Sequence, residues 1–404
     1  MLKKIPVAEL REGMFLHGLC GSWMQHPFWR SKFVVKNADD IRLIVESGIT
    51  EVMIDADKGL DVAPPPAGSH DEVATVVEPA RARAVARAAP KPAGLSEEVA
   101  RARKICDTGR SAVKAMLNEA RLGRAVSREA AGALVQDISD SVARNAGALI
   151  SLARLKTADD YTYMHSVAVC ALMVVLARQL GLDEEQAREA GEAGLMHDLG
   201  KALVPQDVLN KPGKLTDDEF TLVKQHSKLG HDLLLQSGYA SAATLDVCLH
   251  HHEKVDGSGY PERLAGDAIS LYAKMGAVCD VYDAITSDRP YKAGWDPSES
   301  IRRMTEWSEG HFDKRVFQAF VKSIGIYPTG SLLRLTSGRL AVVVEQSRAS
   351  LLKPVVRAFF STKSSVYVTP ELIDLSRSGQ GEKIAGVEDP AAWGLKNIER
   401  FWMA

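Results

Sequence analysis

The spacing of hydrophobic positions changes character three times along the chain. Residues 1–60 read as a β-rich opening with an apolar stretch at Phe33 to Val35, an amphipathic helix near Ala38 to Ser47 and a strand at Glu51 to Ile54. This predicts a small α/β module, with Trp23, Phe28 and Trp29 supplying its core. Residues 61–94 turn to Ala, Pro and Arg (APPPAG, ARARAVARAAP, KPAG), which bury too little apolar surface to order themselves and predict a linker. From 95 to 326, Leu, Val, Ala and Met recur at helical spacing with few internal prolines, predicting an all-α domain of at least seven helices. From 327 to 404, SLLRL, a Ser337-Gly338 turn, RLAVVVE, KPVVRAFFST and SVYVT read as short strands in a small β-rich C-terminal extension. The fold class is mainly α, with a small α/β module before the helices and a β-rich tail after them.

Composition narrows the function. A chain of 404 residues exceeds one ordinary core, in keeping with two or three units. Fifty Lys and Arg balance fifty-two Asp and Glu, so no overall field draws the chain to nucleic acid or an anionic membrane, and any phosphate recognition has to be local. Cys20, Cys106, Cys170, Cys248 and Cys279 are scattered without a CxxC pair and read as reduced thiols of a cytoplasmic protein. The opening MLKKIPVAELREGMFL lacks the apolar region of a secretory signal. The most apolar run, Val167 to Ala177, stops at Arg178, short of the roughly eighteen residues that span a bilayer.

Candidate chemistry is concentrated in the helical region. Seven of the eleven histidines fall between His165 and His252. In order, the candidate metal ligands are His165, the pair His197-Asp198, His226, the pair His251-His252, and Asp280. Imidazole and carboxylate donors suit divalent first-row metals, and a carboxylate bridges two ions where a neutral imidazole cannot, which makes Asp198 the natural bridge. A hydroxide between two such ions is formed near neutral pH and is placed for in-line attack on phosphorus, so the implied reaction is phosphoester hydrolysis. Lys201, just after the His-Asp pair, adds a cation for phosphate. His251 and His252, if helical, stand about 100° apart and can serve different ions. His231 and His250 point elsewhere by the same geometry and read as surface or supporting residues. Glu253 and Asp256 read as carboxylates that orient the ligand histidines.

The segments HDLGK (197–201) and HHEKVDGSGYP (251–261) resemble the HD-GYP family of cyclic di-GMP phosphodiesterases, a branch of the HD superfamily. YTYMHS (161–166), KQHSKLG (224–230) and CDVYDAITSDRPYK (279–292) agree in order and spacing, so the resemblance covers about residues 140–325. The N-terminal module is similar to a small domain of unknown function that often precedes such catalytic domains in bacteria. The resemblance implies an HD-type helical bundle and metal ligands at His165, His197, Asp198, His226, His251, His252 and Asp280. It also implies phosphate or guanine contacts from Lys201, Arg289 and Lys292. Asp283, three residues after Asp280, suits a supporting or substrate contact, and Tyr260 of the GYP segment a place in the substrate cleft. Family members with a third metal carry glutamate four residues before the first histidine; here that residue is Tyr161, and Asp159 and Asp160 lack the helical phase, so two ions are expected. Iron is favoured by analogy, with manganese or another first-row metal also suited. The implied activity is hydrolysis of cyclic di-GMP to linear pGpG, with GMP as a further product, and signalling partners reached through the N-terminal module. Two other functions share these residues: a nucleotide-binding sensor, and an HD hydrolase of another cyclic dinucleotide.

Overall fold

The computed structural model describes residues 2–19, 33–35, 41, 51–60, 90–124, 126–155, 161–211, 213–238, 241–288, 294–347, 350–377 and 381–403. The chain divides into two compact units, residues 1–88 and 89–404.

In the first unit, β1 (Leu2–Pro6), β2 (Phe15–Leu19), β3 (Phe33–Val34) and β4 (Glu51–Asp55) form an antiparallel sheet in the order β1-β4-β2-β3. In β4 every second side chain faces inward, so Val52 and Ile54 join Ile5, Met14, Leu16 and Val35 in the core. The helix expected near Ala38 to Ser47 lies, apart from Ile41, outside the described residues, as do Trp23, Phe28, Trp29 and residues 61–89.

The second unit contains eleven α-helices between Leu95 and Ile324 among the described residues. Two long ones, α1 (Leu95–Arg121) and α2 (Arg128–Arg154), are clamped by a buried ionic cluster: Arg144 donates to both oxygens of Glu98 at 2.7 and 2.9 Å, and Ser141 donates at 2.7 Å. Helix α2 breaks at Asn145 (φ −162°, ψ 100°), whose amide donates to the Ala93 carbonyl while its oxygen accepts from Ala148 N. The asparagine thereby ends one helical segment and caps the next.

Helix α3 (Tyr161–Gln179) is apolar all round and buried from Met164 to Ala177, as the central helix of a bundle must be. At 19 residues it is longer than its most apolar run and is apolar enough to cross a membrane, yet 78% of that window is buried inside this unit. It is followed by α4 (Glu184–Met196), α5 (Gln206–Leu209), α6 (Asp217–Lys224), α7 (His226–Gln236), α8 (Ala242–His250), α9 (Leu271–Thr286), α10 (Pro297–Trp307) and α11 (Lys314–Ile324), of which α4, α7, α8 and α9 carry or adjoin the donors. Capping boxes at Asp183/Gln186 and Thr216/Glu219 fix the starts of α4 and α6.

Strands β5 (Leu332–Leu335), β6 (Arg339–Glu345), β7 (Val355–Ser361), β8 (Val366–Asp374) and β9 (Ile384–Val387) form an antiparallel sheet in the order β8-β7-β6-β5-β9. The sequence pattern showed four of these but not β9, nor the closing helix α12 (Arg400–Met403). The sheet is built into the bundle instead of hanging from it. Leu340 and Val342 from one face, with Phe359 and Trp402, belong to the same hydrophobic cluster as Val99, Ile138 and Leu149 of α1 and α2. Ala341, Val343, Val356 and Ile373 form a second cluster on the opposite face.

Candidate metal centre

Five separate places in the chain deliver the seven candidate donors to one buried point. His165 projects from α3; His197 closes the end of α4; Asp198 opens the short 3-10 turn Leu199–Leu203; His226 is the first residue of α7; His251 and His252 follow α8; Asp280 lies on α9. Helix ends dominate this list because a side chain there can be aimed across the bundle without lying along it.

The donors fall into two sets that share Asp198. On one side, Nε2 of His165 lies 3.3 Å from Asp198 Oδ2 and 3.0 Å from Asp280 Oδ1, and Nε2 of His197 lies 3.3 Å from Asp198 Oδ2 and 3.7 Å from Asp280 Oδ1. On the other side, Asp198 Oδ1 is 3.3 Å from His226 Nε2 and 3.8 Å from His251 Nε2. The Nε2 atoms of His251 and His252 lie 3.3 and 3.2 Å from that of His226. His251 and His252 both reach His226, and His251 also groups with His197 and Asp198, so it stands between the two sets. Helix α8 stops at His250, and His251 N closes its last turn on Val247 O.

Four of the five rings are held from behind. His197 Nδ1 donates to Gly194 O at 2.7 Å, His226 Nδ1 to Val223 O at 2.7 Å, and His251 Nδ1 to Val247 O at 2.9 Å. Those bonds direct the opposite nitrogen, with its lone pair, into the centre. His165 is held differently: its Nδ1 lies 2.6 Å from the buried Asp283 carboxylate, which thereby stands behind a candidate ligand. The ring of Tyr161 stacks on His165 with centroids 5.6 Å apart.

The two halves differ electrically. Burial opposes protonation of His165, but its contacts with Asp198, Asp280 and Asp283 prevail and raise it to about 10. His252 goes the other way, lowered by burial to about 3, and His226 and His251 are lowered by burial as well. Asp198 stays ionised despite its burial because Lys201, 2.5 Å away, and His197 hold its carboxyl well below the usual range. Asp198 Oδ1 is a buried acceptor without a hydrogen-bond donor. An orphaned carboxylate oxygen beside the imidazoles of His226 and His251 is the environment a divalent cation satisfies, and the mixed nitrogen and oxygen set suits a first-row metal.

Two glycines permit the close approach. A Cβ on Gly200 would stand 1.9 Å from His226 O, so the turn after Asp198 packs directly on the start of α7. A Cβ on Gly259 would stand 2.5 Å from Glu253 Cα, where the GYP loop folds back over the chain. Nothing in the composition singles out Gly200; its place two residues after an aspartate ligand is the one signal available. Tyr260 stacks on His252 with ring centroids 4.7 Å apart. Glu253 accepts from the backbone of Glu262 and Leu264, and Asp256 from that of Ser258, so both support the loop and not a histidine ring. His250 is engaged by Asp246 and Glu262, and His231 lies against Asp232, outside the donor set. Arg289, Lys292, Asp159 and Asp160 lie outside the described residues.

A family model described as HD domain matches residues 138–316, and one described as a domain of unknown function (DUF3391) matches residues 2–131. The helical half is therefore an HD domain with a site for divalent metal. A cyclic di-GMP phosphodiesterase of Pseudomonas aeruginosa is 54% identical over 405 residues, covering 100% of this chain and 96% of the relative. The chain belongs to the HD-GYP family of cyclic di-GMP phosphodiesterases. A 3'3'-cGAMP-specific phosphodiesterase 1 of Vibrio cholerae is 37% identical over 164 residues, 40% of this chain and 38% of that one. A solved structure, an HDG"Y"P protein from Bdellovibrio bacteriovorus, aligns over 80% of this chain and 99% of its own, with 13% identity and a TM-score of 0.46.

Proposed function

We propose that the chain hydrolyses cyclic di-GMP to linear pGpG, and onward to GMP in a second cut, at two divalent ions held by His165, His197, Asp198, His226, His251, His252 and Asp280. The observation that carries this reading is the shared carboxylate: Asp198 turns Oδ2 toward one donor set and Oδ1 toward the other. Ions bound there supply Lewis acidity for activating water and neutralising phosphate charge.

The protein's own residues do the remainder. Lys201, partly exposed beside Asp198, offsets charge on a phosphate brought to the centre and positions it. Asp283 keeps the His165 ring from turning. Tyr260 covers His252 and limits the entry of bulk water. Arg289 and Lys292 are further phosphate and guanine contacts by the family resemblance alone. The same resemblance favours iron over manganese, and we place the chain in the cytoplasm, where the buried thiols of Cys170, Cys248 and Cys279 stay reduced. Residues 1–88, a compact unit of their own, are where signalling partners would be received.

The test is product analysis. Full-length protein prepared without oxygen and loaded in turn with Fe, Mn, Co and Ni is given cyclic di-GMP and, side by side, 3'3'-cGAMP. Formation of pGpG with at least one metal is expected. Intact cyclic di-GMP with every metal, or a clear preference for the mixed dinucleotide, would overturn the substrate assignment.

A further inference from the structure

Beside Tyr260 the structure holds a cleft of about 610 Å³. Phe220 and Lys224 enter it from α6, Lys228 from α7, and Lys254, Tyr260 and Arg263 from the loop after α8. Four of those six side chains are cations, and no acidic residue is among the described residues that line the cleft. In a chain whose net charge is −2, this is a local concentration and not a reflection of composition. Lys228 is paired with Asp232 at 3.3 Å, whereas Lys254 and Arg263 make no ion pair among the described residues.

The aromatic side chains face the same space. The Lys224 ammonium lies 5.0 Å from the centroid of Phe220 and 5.9 Å from that of Tyr260, and Phe220 is 49% exposed. Tyr260 therefore borders both, stacking on His252 of the donor cluster and lining the cleft beside Lys224. Cations interleaved with aromatic faces form the chemistry that holds nucleotides, the charges taking phosphate and the rings taking a base.

We propose that this cleft binds the half of the substrate that is not being cut, with its base against Phe220 and Tyr260 and its phosphate against Lys224, Lys254 and Arg263. The proposal rests on the reading of the chain as a cyclic-dinucleotide phosphodiesterase and adds a source of selectivity to it. A cyclic dinucleotide carries two phosphates. With one at the metal centre, the second nucleotide lies within reach of a cleft that Tyr260 also borders. A small diester without that nucleotide draws nothing from the cleft.

The test compares F220A and the double variant K254E/R263E with the parent protein, all full-length and metal-loaded. The substrates are cyclic di-GMP and bis(p-nitrophenyl) phosphate. For the dinucleotide, KM is expected to rise by about tenfold or more, the size expected for loss of a base stack or of phosphate contacts, with kcat within about twofold. The preference for dinucleotide over the small diester should fall by the same factor. Equal losses on both substrates, or no change on either, would overturn the proposal. If the parent protein cleaves only the small diester, the functional reading has failed instead. The cleft is then tested by fluorescence titration with N-methylanthraniloyl-GMP: weaker binding in both variants supports a nucleotide site, and unchanged binding refutes it.

Discussion

Asp283 Oδ2 lies 2.6 Å from His165 Nδ1, so a carboxylate one turn along α9 from the candidate ligand Asp280 fixes a histidine on a different helix. Two residues of α9 thereby serve the centre in different ways, Asp280 facing the donor cluster and Asp283 bracing His165 from behind.

Removing that support is expected to weaken metal binding by about 10- to 100-fold, the usual cost of losing a carboxylate behind a ligand histidine. Titration of Asp283→Ala with manganese, followed by calorimetry, measures it. An affinity equal to wild type would show that packing alone orients His165.

The two donor sets predict distinct metal counts. His165→Ala should lose one ion and His226→Ala the other, each leaving about one per chain, while Asp198→Ala empties both positions and abolishes turnover. Elemental analysis of the three proteins decides. Full occupancy in Asp198→Ala would mean that the carboxylate is not shared.

Gly200→Ala tests the packing that brings the sets together. Because the added methyl group meets the His226 backbone, the turn and α7 must separate. A fall in activity of at least about tenfold is expected, with the helical circular dichroism retained. Normal activity in this variant would indicate that the centre tolerates displacement of His226.

Glu98 supplies a pH prediction away from the centre. Its burial opposes ionisation, but hydrogen bonds from Arg144 and Ser141 hold the carboxyl below its ordinary value of 4.5. A depressed folded-state pKa adds stability that is complete above the unfolded value and is lost as pH falls through the folded one. Glu98→Gln should therefore cost about 3 kcal/mol at pH 7, as for other broken buried pairs, and the gap from wild type should shrink steadily as pH drops below 4.5. Urea denaturation across that range provides the measurement, and a gap independent of pH would count against the ionic clamp.

The site was more legible in the sequence than the architecture around it. Metal chemistry depends on residue identity, and His197-Asp198 and His251-His252 display theirs in adjacent letters. Their arrangement was less accessible, because the distances between donors depend on how five separate segments pack, which adjacent letters do not encode. The strands of the C-terminal region were visible by their alternation, but their union with the helices was not. A continuous run such as Leu340 to Val344 was the available sign that both faces of β6 are covered. Strand β9 and helix α12 are too short to leave a periodic trace.

The position of Trp402 governs when the catalytic half can form. Its indole is 1% exposed and belongs to the hydrophobic cluster that includes residues of α1 and α2, while Phe401 stacks on Phe359 with centroids 4.0 Å apart. Almost three hundred residues separate the two sides of that junction, so a ribosome must release nearly all of the second unit before its interior closes. The first unit faces no such wait. A chain ending shortly before Trp402 would carry every metal donor yet lack a buried member of the cluster that joins helices to sheet.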